Sequence, residues 1–384
     1  MYLIKNVTLY NPQPQGVMDI LIINGGIAAM GRDLDPRLAD LQVLDGRGKI
    51  ALPGFIDQHV HVTGGGGEGG FHSRTPELSL SKVIRAGVTT LVGVLGTDGY
   101  TRSVENLVAK TKALKNEGLT AFCLTGSYAY PSITITGSVA KDIVYIDEII
   151  GCKLAISDHR CSRPTKEEIV RLVSDIRIAA LVSGKPGVLH LHLGGIGNKL
   201  KDIMEIVEEA EVPITHFRPT HMDHHLDEAV KFMEMGGWAD FTAEPDKAAD
   251  LYQVMQRAGT RRMTVSSDSN GSAPVWNEKR EIVAVKASEM DPLYEVIRNL
   301  VVDFKVPLET AASLITENVA RALNLYPKKG ALLPGSDGDI VFLDQDLRID
   351  SLFARGRLMM WNKGLKGKGA FEDIPLDMEE GGHV

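Results

Sequence analysis

Two histidines, His59 and His61, stand one residue apart in the stretch HVHVTGGGGEGG, directly before a run of glycines that retains one acid, Glu68. Side chains two residues apart on a β-strand point to the same face. Both imidazoles therefore face one way, and imidazole is a common protein ligand for metals. A pair of hydrogen-bonded histidines would have the same spacing, so this motif alone does not decide between half of a metal site and an ordinary pair.

Three further residues of metal-binding type occur at the ends of strand-like segments. His192 ends GVLHLHLGG, His221 ends FRPTHMD and Asp268 ends MTVSSDSNG. We expect His192 rather than His190 to be a ligand, since His190 shares its face but lies one layer deeper. Nitrogen and oxygen ligands in this number, with room for water, are typical of a catalytic Zn²⁺ or a similar ion.

The segments that carry these residues alternate between strand and helix. Strand-like runs recur from GFIDQHVHV to MTVSSD, and helical patterns separate most of them, with helix starts predicted at Thr75-Pro76 and at the capping box of Thr165 and Glu168. Eight such strands predict an α/β fold of the (β/α)₈ TIM-barrel type rather than an open sheet. In such barrels the active site lies at the carboxyl ends of the strands, where the predicted ligands fall.

The two ends of the chain have a different character. Residues 1–52 read as short antiparallel strands with Asn-Gly and Asp-Gly turns, and the same alternation returns after the helical pattern LETAASLITENVARALNL. We therefore expect residues 1–52 and 328–384 to form one small β-sandwich domain, with the barrel of residues 53–327 inserted between its halves.

The composition disfavours several classes of protein. Of the 384 residues, 43% are hydrophobic and 24% are charged, and the net charge is −8. This balance suits a large core and disfavours a nucleic-acid partner, which needs a basic surface. We expect no membrane partner, since neither an apolar span nor a signal-peptide pattern is seen. Three cysteines, an odd number, favour reduced thiols and a cytoplasmic location.

The order of the ligands resembles the amidohydrolase superfamily, which has HxH on strand 1, single histidines on strands 5 and 6, and an aspartate on strand 8. Within it, the bacterial isoaspartyl dipeptidase family is similar in the order and spacing of PGFIDQHVHVTGGGGEGG, LGTD, LTGSYAYPSITITGS, KLAISDHR, GKPGV, PTH and SSDSNGS. The similarity covers almost the whole chain. HxH alone is weakly specific, whereas HxH followed by GGGGE and SSDSNGS is strongly specific.

The resemblance implies two zinc ions bridged by a hydroxide and by a carboxylated lysine. The ligands it assigns are His59, His61 and Asp268 for one ion, His192 and His221 for the other, and Lys153 as the bridge. No argument from residue types selects Lys153, because an ammonium repels metals; carboxylation inverts its charge and supplies two oxygens. The resemblance also makes Asp268 the general base and acid and Tyr128 the residue that stabilises the oxyanion.

A β-aspartyl dipeptide is the substrate that the resemblance implies, with Glu68 pairing with its α-ammonium. Gly66 and Thr97 match contacts to its α-carboxylate, and Arg160 and Ser272 match contacts to the carboxylate of its leaving residue. The chain departs from the family at His224, which stands where a second arginine is usual. A neutral imidazole offers one donor instead of a bidentate fork, so the preference for the leaving residue stays open, and His225 could compensate.

Two other interpretations remain. One is another hydrolase of the superfamily that acts on a cyclic amide or an N-acyl amino acid; a cyclic amide has no ammonium for Glu68 to bind. The other is an oligomeric scaffold without catalysis, which the filled ligand positions disfavour. Because members of the resembled family form octamers, a homo-oligomer is also expected.

Overall fold

The described residues of this computed structural model, 1–194, 199–277 and 282–372, fold into a barrel and a sheet built from both chain ends. In chain order the strands are β1 (Tyr2–Asn11), β2 (Gln13–Ile23), β3 (Gly26–Gly31), β4 (Gln42–Asp45), β5 (Ile50–Pro53), β6 (Phe55–Val60), β7 (Val88–Gly93), β8 (Thr120–Gly126), β9 (Ile149–Ala155), β10 (Val188–His192), β11 (Phe217–Thr220), β12 (Ala239–Thr242), β13 (Met263–Ser266), β14 (Ser272–Trp276), β15 (Ile282–Ala287), β16 (Ile340–Leu343), β17 (Ile349–Ala354), β18 (Arg357–Trp361) and β19 (Gly364–Leu365).

The helices lie mainly between the barrel strands. They are α1 (Leu80–Arg85), α2 (Val104–Asn116), α3 (Val139–Tyr145), α4 (Lys166–Ser183), α5 (Lys199–Glu209), α6 (Leu226–Glu234), α7 (Ala248–Ala258), α8 (Pro292–Val302), α9 (Leu308–Ser313) and α10 (Glu317–Ala322). The predicted capping box of Thr165 and Glu168 starts α4. The pattern LETAASLITENVARALNL, in contrast, is divided into α9 and α10. None of the described helices is long and apolar enough to cross a bilayer.

The barrel wall consists of β6 to β13, in agreement with the eight predicted strands. β6 to β11 form one parallel sheet in sequence order, and β12 pairs in parallel with β13. The wall closes where the amide of His61 donates to the carbonyl of Ser269 over 2.9 Å. The predicted (β/α)₈ fold is confirmed, and closure brings the ends of the first and last strands side by side.

Strands from both chain ends share one nine-stranded sheet, in the order β19-β18-β17-β16-β5-β1-β2-β3. β4 and β5 pair with different parts of the same edge of β1, and β4 is therefore the ninth strand of the sheet. Side chains alternate along β16, so Ile340 and Phe342 enter the core of this sheet while Val341 and Leu343 pack with the barrel core. We propose on this basis that residues 1–52 and 328–384 are one unit, of which residues 373–384 lie outside the described ranges.

Candidate active site

A compact cluster of metal-binding side chains lies at the carboxyl ends of the barrel strands. His59 Nε2 is 3.2 Å from Asp268 Oδ1, and His61 Nε2 is 3.1 Å from the same oxygen. Lys153, on β9, places its Nζ 3.0 Å from His59 Nε2. The structure therefore brings together the HxH pair, the aspartate of the last strand and the lysine of the fourth.

The histidines that end β10 and follow β11 border the same space. The ring centroids of His192 and His221 are 4.4 Å apart, and that of His221 lies 5.4 Å from that of His59. Tyr128 reaches this cluster through its hydroxyl, which lies 2.8 Å from His192 Nδ1. All six residues assigned as metal ligands from the sequence are thus neighbours in the fold.

The backbone turns sharply where two of these ligands are placed. His221 and Asp268 have φ values of +63° and +51°, in the left-handed region that non-glycine residues rarely adopt. Such a conformation costs about 1–3 kcal/mol and is commonly found where function requires a particular side-chain direction. His221 is the first residue after β11 and Asp268 the second after β13, and both line the cavity at the barrel mouth.

Burial sets the charges of the cluster. It lowers the pKa values of His59, His192 and His221, so these rings are neutral near pH 7, which is the form that binds metals. Burial also lowers the pKa of Lys153 to about 7. Although burial opposes it, the hydrogen bond from His61 holds the pKa of Asp268 well below its usual range, so this carboxylate is ionised.

The cluster fits a divalent metal by its unsatisfied atoms and by its chemistry. His61 Nδ1 and His221 Nε2 are buried and have no hydrogen-bond partner in the described part of the chain. Buried polar atoms are normally paired, so the unpaired Nε2 of His221, whose Nδ1 lies 2.7 Å from Thr242 Oγ1, calls for an explanation, and a bound cation supplies one. Neutral imidazoles and carboxylate oxygens are the donors that Zn²⁺ and similar ions accept.

A second trio, His59, His190 and Asp240, also has ligand atoms within 4.8 Å of one another. It lies deeper in the barrel, and His190 Nε2 is 3.3 Å from His59 Nδ1. The carboxylate of Asp240 already accepts hydrogen bonds from the side chains of Gln58, Thr220, Thr264 and Ser266. Four donors occupy the accepting positions of a carboxylate, so this trio is a hydrogen-bonded layer beneath the metal-binding cluster.

Glu68 belongs to a polar group at the barrel mouth. Its oxygens lie 2.9 Å from Arg160 Nη1 and 2.9 Å from Ser272 Oγ, and Thr97 also hydrogen-bonds to it. Burial would raise the pKa of Glu68, but these donors and the charge of Arg160 lower it overall, so the carboxylate is ionised. Four of the predicted substrate-binding residues therefore meet at one point.

Asp158 is an important residue of this region that the sequence reasoning did not select. It accepts two hydrogen bonds of 2.8 Å from the guanidinium of Arg160, and its Oδ2 also lies 3.0 Å from His192 Nε2. The guanidinium also lies 5.3 Å from the ring centroid of Tyr128. Asp158 joins the substrate-binding group to the metal-binding cluster. Its position in the sequence, between the end of β9 and Arg160, could have indicated this role.

The glycines after the HxH motif are required by packing of the turn. Gly64 and Gly66 have φ values of +84° and +78°, and a Cβ on them would lie 2.3 Å from the carbonyl oxygen of Thr75 and 2.4 Å from that of Ser73. The Thr75 hydroxyl also bonds to the amide of Gly65 over 2.7 Å. The helix predicted to start at Thr75 therefore starts later, at Leu80, because Thr75 is part of this turn.

A cavity of about 400 Å³ opens from the cluster to the surface. Its walls include Arg160, His192, His221, His224, Asp268 and Ser272. His224 is 51% exposed, and its Nε2 lies 3.6 Å from Asp223 Oδ2. His225 Nε2 is instead 2.9 Å from the carbonyl oxygen of Gly194, so His225 does not replace the missing arginine in this structure.

Comparison with known proteins gives similarities that each extend over most of the chain. The family model described as "Amidohydrolase family" matches residues 50–359. The crystal structure of beta-aspartyl dipeptidase from Fervidobacterium islandicum AW-1 in complex with beta-Asp-Leu is 39% identical, with a TM-score of 0.91, and the match covers 97% of this chain and 100% of that one.

The curated relatives are more distant. A dihydroorotase from Elusimicrobium minutum is 24% identical over 89% of this chain and 88% of its own length. An adenine deaminase from Clostridium botulinum is 23% identical over 95% of this chain, and the chain spans 58% of the length of that deaminase.

Proposed function

The chain belongs to the amidohydrolase family, and we propose that it is a metal-dependent beta-aspartyl dipeptidase, which hydrolyses isoaspartyl dipeptides released from damaged proteins. The observation that carries this proposal is the ionised Glu68, held beside Arg160 and Ser272 at the mouth of a metal-binding cluster. The similarity to a dipeptidase over nearly the whole chain supports it. The direct test is hydrolysis of β-Asp-Leu compared with a cyclic amide.

We propose that the metal is a pair of Zn²⁺ ions and that Lys153 bridges them as a carbamate. The residues that would hold the ions are His59, His61 and Asp268 on one side and His192 and His221 on the other. When bound, such a pair lowers the pKa of water toward neutrality and polarises a carbonyl group. The depressed pKa of Lys153 supports the carbamate, because only the neutral amine reacts with carbon dioxide.

Asp268 and Tyr128 are the residues that handle protons and charge in this proposal. Asp268 is ionised, so it accepts the proton of the attacking water and delivers it to the nitrogen of the leaving residue. Burial raises the pKa of Tyr128 well above its ordinary value, so its hydroxyl keeps its proton and can donate to the developing oxyanion. Asp268 thus transfers a proton, whereas Tyr128 keeps its proton and donates it in a hydrogen bond.

The ion pair between Glu68 and Arg160 explains why a zwitterionic substrate fits. A β-aspartyl dipeptide brings an ammonium, which takes the place of Arg160 beside Glu68, and a carboxylate on the leaving residue, which Arg160 then binds. Ser272 binds the same carboxylate as Arg160, and Thr97 and the backbone at Gly66 bind the α-carboxylate. A cyclic amide has no ammonium to take the place of Arg160 beside Glu68, so the geometry favours the dipeptidase over the cyclic amidase.

Replacing Glu68 with glutamine is expected to lower kcat/KM for β-Asp-Leu by at least about 30-fold, because loss of one partner of a desolvated charge pair costs about 2–5 kcal/mol. Metal content, measured by elemental analysis, should not change, since Glu68 does not touch the metal-binding cluster. Glu208→Gln, at an exposed acid of α5 outside this cavity, serves as the matched control. A fall in metal content in Glu68→Gln would mean that Glu68 is structural instead.

The acids around His224 give an expectation for the leaving residue. Asp223, Glu244 and Glu289 line the same cavity, and no ion pair of Glu244 is seen among the described residues. We expect kcat/KM for β-Asp-Lys to exceed that for β-Asp-Glu by about 2- to 5-fold, the usual strength of an exposed ion pair. Glu244→Gln should reduce this ratio while leaving β-Asp-Leu unaffected. An unchanged ratio would show that the acids do not contact the leaving side chain.

We also propose that the protein acts in the cytoplasm as a homo-oligomer. The support for the location is that Cys123, Cys152 and Cys161 are all free thiols and two of them are buried. The support for an oligomer, an octamer, is the resemblance to the dipeptidase family. The scaffold alternative is disfavoured because every ligand position is filled and the ligands meet.

A further inference from the structure

We infer that Thr220 and Asp240 are positioning residues that fix the tautomer of His59 and so hold its Nε2 ready to bind a metal. Neither residue touches the proposed metals or the substrate. The inference rests on the proposed metal centre but concerns residues of the layer beneath it. It follows from counting donors and acceptors along one chain of hydrogen bonds.

The last member of this series of hydrogen bonds is Asp240, which is fully buried on β12. Its Oδ1 accepts from Gln58 Nε2 at 2.6 Å and Thr264 Oγ1 at 2.8 Å, and its Oδ2 accepts from Ser266 Oγ at 2.6 Å and Thr220 Oγ1 at 2.8 Å. Burial raises the pKa of Asp240, and the hydrogen bonds from these four side chains oppose that rise by stabilising the charged carboxylate, which can only accept hydrogen bonds. Each hydroxyl near Asp240 must therefore point its proton toward the carboxylate.

Thr220 transmits this constraint to His59. A threonine hydroxyl has one proton, and that of Thr220 is used on Asp240. Its oxygen, 3.4 Å from His59 Nδ1, can then only accept, so the proton of the neutral imidazole is on Nδ1. His190 Nε2, 3.3 Å from the same nitrogen, is a second acceptor for it.

The consequence is seen on the other ring nitrogen. With its proton on Nδ1, His59 presents a lone pair on Nε2, which lies 3.0 Å from the donor Lys153 Nζ and 3.2 Å from the acceptor Asp268 Oδ1. Two acceptors at this distance repel each other unless a cation lies between them or a proton is shared. The Thr220–Asp240 pair thus keeps His59 in the tautomer that favours a metal over a hydrogen bond to Asp268. Comparable outer partners of metal-binding histidines raise metal affinity by about 10–100-fold.

The test uses three variants of the full chain and measures zinc retained in a series of zinc buffers of defined free concentration. Thr220→Val keeps the shape but removes the hydroxyl, and should weaken zinc binding by about 10–100-fold. Thr220→Ser keeps the hydroxyl and should bind zinc as the wild type does. Ser266→Ala removes a different donor to Asp240 that does not touch His59, so it is the matched control and should also retain zinc.

Wild-type affinity in Thr220→Val, or an equal loss in Thr220→Val and Ser266→Ala, would overturn the inference. Thermal melting of the metal-free variants shows whether each one folds. Should Thr220→Val fail to fold, Asp240→Asn takes its place, because an amide can donate to Thr220 and turn the hydroxyl proton toward His59. Since zinc binding is read directly, the inference stands or falls separately from dipeptide hydrolysis. Normal zinc binding by a wild type that hydrolyses no β-aspartyl dipeptide would contradict the proposed function alone.

Discussion

Replacing Lys153 with alanine is expected to remove bound metal and to lower kcat/KM for β-Asp-Leu by more than about 100-fold, since loss of even an outer partner costs about 10–100-fold. The amine is fully buried, 3.0 Å from His59 Nε2, and its pKa of about 7 leaves much of it neutral at neutral pH. The neutral nitrogen attacks carbon dioxide, a C–N bond forms and a proton is released. Alanine cannot form this carbamate, so the anion that the two proposed metal ions would share is lost.

Chemical rescue separates this role from a structural one. A short carboxylate such as acetate or propionate fits the space that the side chain leaves and should restore part of both the metal content and the activity of Lys153→Ala. Lys153→Arg is the matched control, because it keeps a cation, cannot be carboxylated, and should not respond to added acid. Full metal content and activity in Lys153→Ala without added acid would refute the bridging role.

Asp268→Asn is expected to lower kcat by about 10²- to 10⁴-fold, the usual contribution of a positioned acid or base. The carboxylate oxygen that lies 3.2 Å from His59 and 3.1 Å from His61 is replaced by an amide, which cannot take the proton of water. Steady-state rates at saturating β-Asp-Leu measure the effect. Asp246→Asn, on an exposed acid outside the cavity wall, is the control.

The outcome for Asp268→Asn has two parts. If the variant keeps its metal and loses kcat, the proton-transfer role is supported; loss of metal as well supports the role of a ligand. A variant that keeps both metal and a kcat close to that of the wild type would contradict both assignments.

The barrel could be predicted from the sequence, and so could the meeting of most of the proposed ligands at its mouth, because both depend on local periodicity. Alternation along β6 and the residue after it places His59 and His61 on one side, and His192, His221 and Asp268 fall at or within two residues of strand ends, where a barrel brings them together. Only the resemblance to a family selected Lys153, because its residue type argues against metal binding. Its environment, not its identity, lowers its pKa.

Contacts between distant segments were beyond the reach of sequence patterns. Thr75 has the pattern of a helix start, yet its hydroxyl bonds to Gly65 and to the carbonyl of Asn270, so it belongs to the glycine turn. Asp158 and Asp240 resemble ordinary acids in the sequence. Their importance depends on which donors the fold places around them, and several of these come from other strands.

One measurement tests the account most directly: kcat/KM for β-Asp-Leu, α-Asp-Leu and dihydroorotate with a single preparation of metal-loaded protein. The position of Glu68 beside Arg160 predicts the highest value for β-Asp-Leu, because only this substrate combines the free ammonium with the β-linked carbonyl that reaches the metal-binding cluster. Faster turnover of dihydroorotate, or equal turnover of the α- and β-linked dipeptides, would contradict the proposed function.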